Sequence, residues 1–117
     1  MSNFNRLTEA EEERLHLLGE ELGEAQRSIG KILRHGYESK NPFELESLSN
    51  KESLEEELGH ILNSICLLAY NNDISFPDLI LSVSKKSNKC FTYLHDPNNL
   101  SCNTDEYRAY VKALFNI

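Results

Sequence analysis

No apolar run in this 117-residue chain approaches the roughly 18 residues that a membrane span requires. The opening Met1-Ser2-Asn3-Phe4-Asn5-Arg6 holds no apolar h-region, so no secretory signal is expected. Cysteine is scarce: Cys66, Cys90 and Cys102 form an odd set with no C-x-x-C spacing. That argues against a disulfide frame or a structural zinc site and predicts a reducing, cytoplasmic setting. Cys66 is expected to pack as a small hydrophobe. Basic residues are few as well, with 12 Lys and Arg against 19 Asp and Glu and a net charge of −7. A nucleic-acid duplex selects for clustered cations, so it is a poor partner for such a chain. There is no convincing alternating strand, no low-complexity tract and no Gly-x-x-x-x-Gly-Lys phosphate loop. Neither a Ser-His-Asp nor a Cys-His arrangement has supporting context.

What the chain does have is helical periodicity and glutamate. Residues 1–60 hold 14 acids and 7 bases, whereas residues 61–117 hold 5 of each, so the negative surplus lies wholly in the first half. Thr8 with Glu11 three residues later forms a capping-box signature, and Leu15, Leu18, Leu22, Ala25, Ile29 and Ile32 then recur at three- and four-residue steps. Gly36 ends that stripe. Residues 36–50, with Pro42 and several Ser and Asn, read as a connection with room for a short helical turn at Phe43–Leu48. Ser49 or Asn50 opens a second helix with Leu54, Leu58, Ile61, Ile65 and Leu68 on one stripe, ending near Asn71-Asn72-Asp73. Ser75 or Pro77 starts a third, with Leu79, Ile80, Val83 and Phe91 facing inward. After a turn cluster at Asp96-Pro97-Asn98-Asn99, Asn103 or Thr104 caps a last helix through Tyr107, Tyr110, Val111 and Leu114. The expectation is one all-α domain over residues 1–117, an antiparallel bundle of four to five helices. Its apolar stripes are more than one small bundle can cover, so a homodimer or higher homo-oligomer is expected to complete it.

Two segments read alike. Leu18-Gly19-Glu20-Glu21-Leu22-Gly23-Glu24 and Leu54-Glu55-Glu56-Glu57-Leu58-Gly59-His60 each set acids beside the apolar seam of a helix. Positions i, i+3 and i+4 share a helix face, which joins Glu21 to Glu24, with Glu20 one turn from Glu24, and joins Glu57 to His60. Antiparallel packing can bring the two groups to one level. Carboxylates gathered there repel unless a hard, oxygen-preferring cation binds among them, and Mg²⁺ or Mn²⁺ is the natural choice. The competing reading is a pair of solvated helix flanks, which would have to produce two such clusters independently.

These residues carry a resemblance. Glu21-x-x-Glu24, a loop, then Glu57-x-x-His60 is similar to the E-x-x-E, loop, E-x-x-D signature of the all-α nucleoside triphosphate pyrophosphohydrolases, the MazG-like and dimeric dUTPase-like group. Glu20 matches the extra acid that often precedes the first pair. Asn72-Asp73-Ile74, leading into a helix that ends Lys85-Lys86-Ser87-Asn88-Lys89, extends the likeness over about residues 8–95. The resemblance implies hydrolysis of a nucleoside triphosphate to its monophosphate and pyrophosphate. It implies Mg²⁺ held by Glu21, Glu24 and Glu57, with Glu20 as a further ligand or as the group orienting the attacking water. It also implies Lys85, Lys86 and Lys89 on the substrate's phosphates, and a homodimer with the site near its interface.

The chain departs from that pattern twice. His60 stands where the group has Asp, which removes one negative charge and adds a nitrogen that suits Mn²⁺ or Zn²⁺ better than Mg²⁺. The 32 residues between Glu24 and Glu57 are also longer than the compact members need. His60 is therefore a ligand of a variant site, a contact to a ligand or substrate in a one-metal site, or a mark of lapsed catalysis. An exposed or satisfied structural histidine stands beside these readings. Three functions follow: a pyrophosphohydrolase, a nucleotide-binding module without turnover, or a structural helical assembly. Lys85, Lys86 and Lys89 also suit a helix C-terminus on electrostatic grounds alone. His16, His35 and His95 show no ligand spacing and are expected at the surface.

Overall fold

The computed structural model describes residues 4–44, 46–89 and 104–117. Among them all regular structure is α-helical: α1 Glu9–His35, α2 Asn50–Tyr70, α3 Phe76–Ser87 and α4 Thr104–Phe115. None of these helices is long and apolar enough to cross a membrane. Each boundary has a local cause. Thr8 Oγ1 accepts the Glu11 N–H at 3.1 Å while Glu11 Oε1 accepts the Thr8 N–H at 2.9 Å, closing the capping box of α1. Gly36, at φ +89°, stops α1 in a conformation that L side chains rarely adopt, and its N–H donates to Ile32 O. Ser49 and Glu52 repeat the capping box for α2. Asn71 closes its other end by donating from Nδ2 to Leu67 O at 2.8 Å. Ser75 caps α3, with Pro77 in its first turn, where a missing N–H costs nothing.

The chain divides into two compact units, Met1–Asp73 and Ile74–Ile117. In the first, α1 and α2 pack as an antiparallel hairpin. The start of α2 bonds to the end of α1, through Asn50 Nδ2 to Gly36 O at 3.0 Å. The far ends meet through Arg14, whose guanidinium donates to both carboxylate oxygens of Asp73 at 2.6 and 3.0 Å. Between these anchors the buried or half-buried positions include Leu18, Glu21, Ala25, Ser28 and Ile32 on α1, and Leu54, Glu57, Ile61, Ser64, Ile65 and Leu68 on α2. Of the buried seam residues Ala25, Ser28 and Ser64 are small and only Leu68 is large, which allows a close, partly polar seam. In the second unit α3 contacts α4, with Ile80 and Val111 buried.

Several expectations are corrected. Leu15, Leu22 and Ile29 are 46%, 51% and 45% exposed, because α1 turns Arg14, Glu21 and Ser28 toward α2 instead. The apolar stripe is wider than one partner helix covers, and the seam takes only its Leu18, Ala25 and Ile32 edge. Leu58 is likewise exposed while Glu57 is not. Cys66 lies on the exposed side of α2 and does not pack inside. Tyr110 and Leu114 are exposed on α4. The described residues of Phe43–Leu48 form turns without a helix. Phe91, His95, Cys90, Cys102 and the Asp96–Asn99 turn lie outside the described residues.

Candidate metal centre

Glu21 and Glu57 occupy the inward stripes of their helices, one turn from Ala25 and Ile61, so the close-packed seam delivers both carboxylates to the same level. Glu24 follows Glu21 by three residues and His60 follows Glu57 by three, which adds one flanking group from each helix. Each of the four offers a ligand atom, and these atoms all lie within 4.8 Å of one another. Octahedral coordination at about 2.1 Å sets neighbouring donors about 3 Å apart and opposite donors about 4.2 Å apart, so small side-chain movements would close this set on one ion.

The cluster is partly withdrawn from water. The Glu21 and Glu57 side chains retain 23% and 18% of their exposure, His60 49%. Glu21 Oε2 and Glu57 Oε2 are shut off from solvent without a hydrogen-bond partner. His60 Nδ1 approaches them at 3.2 and 3.5 Å, close enough for attraction but not directed as a hydrogen bond to either. Buried carboxylate oxygens are ordinarily satisfied, so two orphans side by side form the feature that most favours a cation here.

The electrostatics agree. A side-chain hydrogen bond with Glu57, then repulsion by the Glu57 charge, pushes the Glu24 carboxyl above its ordinary value. For His60, partial burial opposes the imidazolium. The charges of Glu21 and Glu57, with help from Glu56, outweigh it and push the pKa up. Both shifts favour the protonated form, which for Glu24 removes a negative charge from the cluster and for His60 adds a positive one. Three carboxylates and an imidazole fit Mn²⁺ well and accept Mg²⁺ through their oxygens.

Of the residues singled out from the sequence, Glu21, Glu24, Glu57 and His60 come together. Glu20 is exposed on α1 and is not one of the four. Lys85, Lys86 and Lys89 are exposed at the C-terminal end of α3 and just beyond it, in the second unit. A hollow of about 410 Å³ that sequence reasoning missed is lined by Tyr37, Leu54 and Leu58 together with Glu38, Lys51 and Glu55. Its only sequence signal is an aromatic residue just after the Gly36 stop. No family model, curated protein or solved structure matches the chain.

Proposed function

We propose that this protein is a metal-dependent nucleoside triphosphate pyrophosphohydrolase of the MazG-like, dimeric dUTPase-like kind, serving to keep the nucleotide pool clean. The observation that carries this reading is the meeting of Glu21, Glu24, Glu57 and His60 within 4.8 Å, with two orphaned carboxylate oxygens among them. Water attacks the α-phosphorus, the bond to the bridging α–β oxygen breaks, and pyrophosphate leaves with the bonding electron pair. Glu21, Glu24 and Glu57 hold Mg²⁺ or Mn²⁺, with His60 as the fourth ligand. The bound ion supplies charge neutralisation and a more acidic water. Glu20, exposed one residue before Glu21, is free to orient that water and take its proton. The Tyr37–Leu54–Leu58 hollow offers an apolar bed for a base. The exposed Leu15, Leu22 and Ile29 row supports a homodimer in which a second copy covers α1.

Pyrophosphate release from a panel of canonical and modified nucleoside triphosphates, with Mg²⁺, with Mn²⁺ and with chelator, tests the reading. Metal-dependent release that Glu21→Gln and Glu57→Gln abolish is expected. A folded protein that binds Mn²⁺ and nucleotide but releases nothing would favour the second reading, a binding module without turnover, which the histidine at position 60 makes specific.

A further inference from the structure

The first half of the chain has seven basic residues, and three of them line one cavity. Lys31 and Arg34 come from the last turns of α1 and Lys40 from the loop that returns to α2, with His35, Asn41 and Asn50 between them. The cavity holds about 570 Å³, within the range of small-molecule sites, and no acidic residue lines it. Among the described residues no carboxylate lies within ion-pair distance of Lys31, Arg34 or Lys40. Glu52 is near enough to feel Lys40, but its Oε1 accepts the Ser49 N–H of the α2 capping box.

The wall of this cavity is built. Asn50 N–H donates to Ser39 O at 2.9 Å, Lys51 N–H to Tyr37 O at 2.8 Å, and Asn50 Nδ2 to Gly36 O at 3.0 Å. These bonds strap the loop against the end of α1 and bring Lys40 to Lys31 and Arg34. A basic helix end complements the macrodipole, which accounts for Arg34 and His35. It does not account for Lys40, which is on another element and still faces the same space. The three side chains are exposed, and their shared concavity concentrates positive charge that favours an anion. A single carboxylate would neutralise one of the three, whereas a phosphate dianion or oligophosphate matches their number. The Arg34 fork and the two ammonium groups supply the donors for its oxygens.

We infer that the cleft formed by Lys31, Arg34 and Lys40 is a binding site for a small phosphorylated ligand bearing two or more negative charges. It is distinct from the glutamate cluster: Lys31 follows Glu24 by seven residues, about 10 Å along the helix. The inference does not rest on the metal reading, since no divalent ion takes part in it.

Calorimetric titration of the full chain with inorganic pyrophosphate, in the presence of EDTA, tests it directly. Binding is expected, weakening as salt rises. The Lys31→Ala/Arg34→Ala double variant should weaken it at least tenfold, and Lys40→Gln, which lies outside any helix, several-fold. Glu21→Gln should leave it intact. A nucleoside triphosphate in the same buffer separates the sources: tighter binding than pyrophosphate assigns the cleft to a nucleotide, and equal binding assigns it to the oligophosphate alone. No binding by the wild type, or unchanged affinity in Lys40→Gln with helical circular dichroism retained, overturns the proposal.

Discussion

At the residue scale, Glu24 and His60 tie stability to pH and metal in opposite directions. Both have folded-state pKa values raised, Glu24 by its hydrogen bond and repulsion with Glu57, His60 by carboxylate charge that outweighs its burial. A raised value means that the folded protein holds the proton more tightly, so the associated stability is present at low pH. It is lost as pH rises through each folded-state value, beginning near the ordinary glutamate value of 4.5 for Glu24 and near 6.5 for His60. In EDTA the melting temperature should therefore decline from mildly acidic pH to pH 8, while with Mn²⁺ it should rise over that range, because deprotonated ligands bind metal. Thermal melts in both buffers check this, and a decline equally steep with metal present would count against a cation site. Glu21→Gln should raise the metal-free midpoint more at alkaline than at acidic pH, since it removes carboxylate repulsion but also the attraction that holds the His60 imidazolium. Asp73 is the opposite case. Its hydrogen bonds to Arg14 hold its carboxyl below the ordinary 3.8, so its contribution is present above that value and lost as pH falls through the folded-state one. Asp73→Asn should lower the midpoint by a few degrees at pH 7 and flatten the acid limb, as read by the same melts.

At the element scale, the two capping boxes and the helical glycines give separable outcomes. Ser49→Ala removes the acceptor for the Glu52 N–H and should cost about 1 kcal/mol, measurable by urea unfolding. Gly23 is different. A Cβ built there meets no atom within 4 Å, so nothing within the chain requires glycine. Gly23→Ala should stabilise the protein by up to about 1 kcal/mol through helix propensity alone. A gain in stability accompanied by a loss of turnover would show that a second copy or the substrate approaches α1 at that point. A loss of stability would mean that a close contact already exists there.

For the whole molecule, the decisive feature is how little it buries. No large side chain is fully buried among the described residues, while Leu15, Leu22, Ile29, Leu33 and Leu62 are all exposed. Leu15, Leu22 and Ile29 repeat every seven residues on α1, the spacing of a helix–helix seam. Sedimentation velocity should find the wild type as a dimer or larger. A Leu22→Lys/Ile29→Lys variant should shift to monomer and melt at lower temperature, since the apolar area would lose its cover. A monomeric wild type at tens of micromolar would contradict the dimer.

The helices themselves were legible in the sequence because their signals are local. Thr8 with Glu11, Ser49 with Glu52, Gly36 and Ser75 set α1, α2 and α3 through hydrogen bonds and backbone freedom a few residues apart. The grouping of Glu21 with Glu24 and of Glu57 with His60 was legible for the same reason, since 3.6 residues per turn requires it. Which side of α1 faces α2 was not. Leu18, Ala25 and Ile32 belong equally to a stripe with Leu22 and Ile29 or to one with Glu21 and Ser28. Only close approach at small residues and the Arg14–Asp73 anchor chose the second. The same choice left Leu22 outside, brought Glu21 to Glu57, and orphaned their buried oxygens. The Lys31–Arg34–Lys40 cleft was likewise beyond local reading, because Lys40 reaches α1 only through backbone bonds that strap residues 37–39 to residues 50 and 51. Helix geometry acts over one turn and is written in the sequence. The packing register acts between segments tens of residues apart, and only the folded chain decides it.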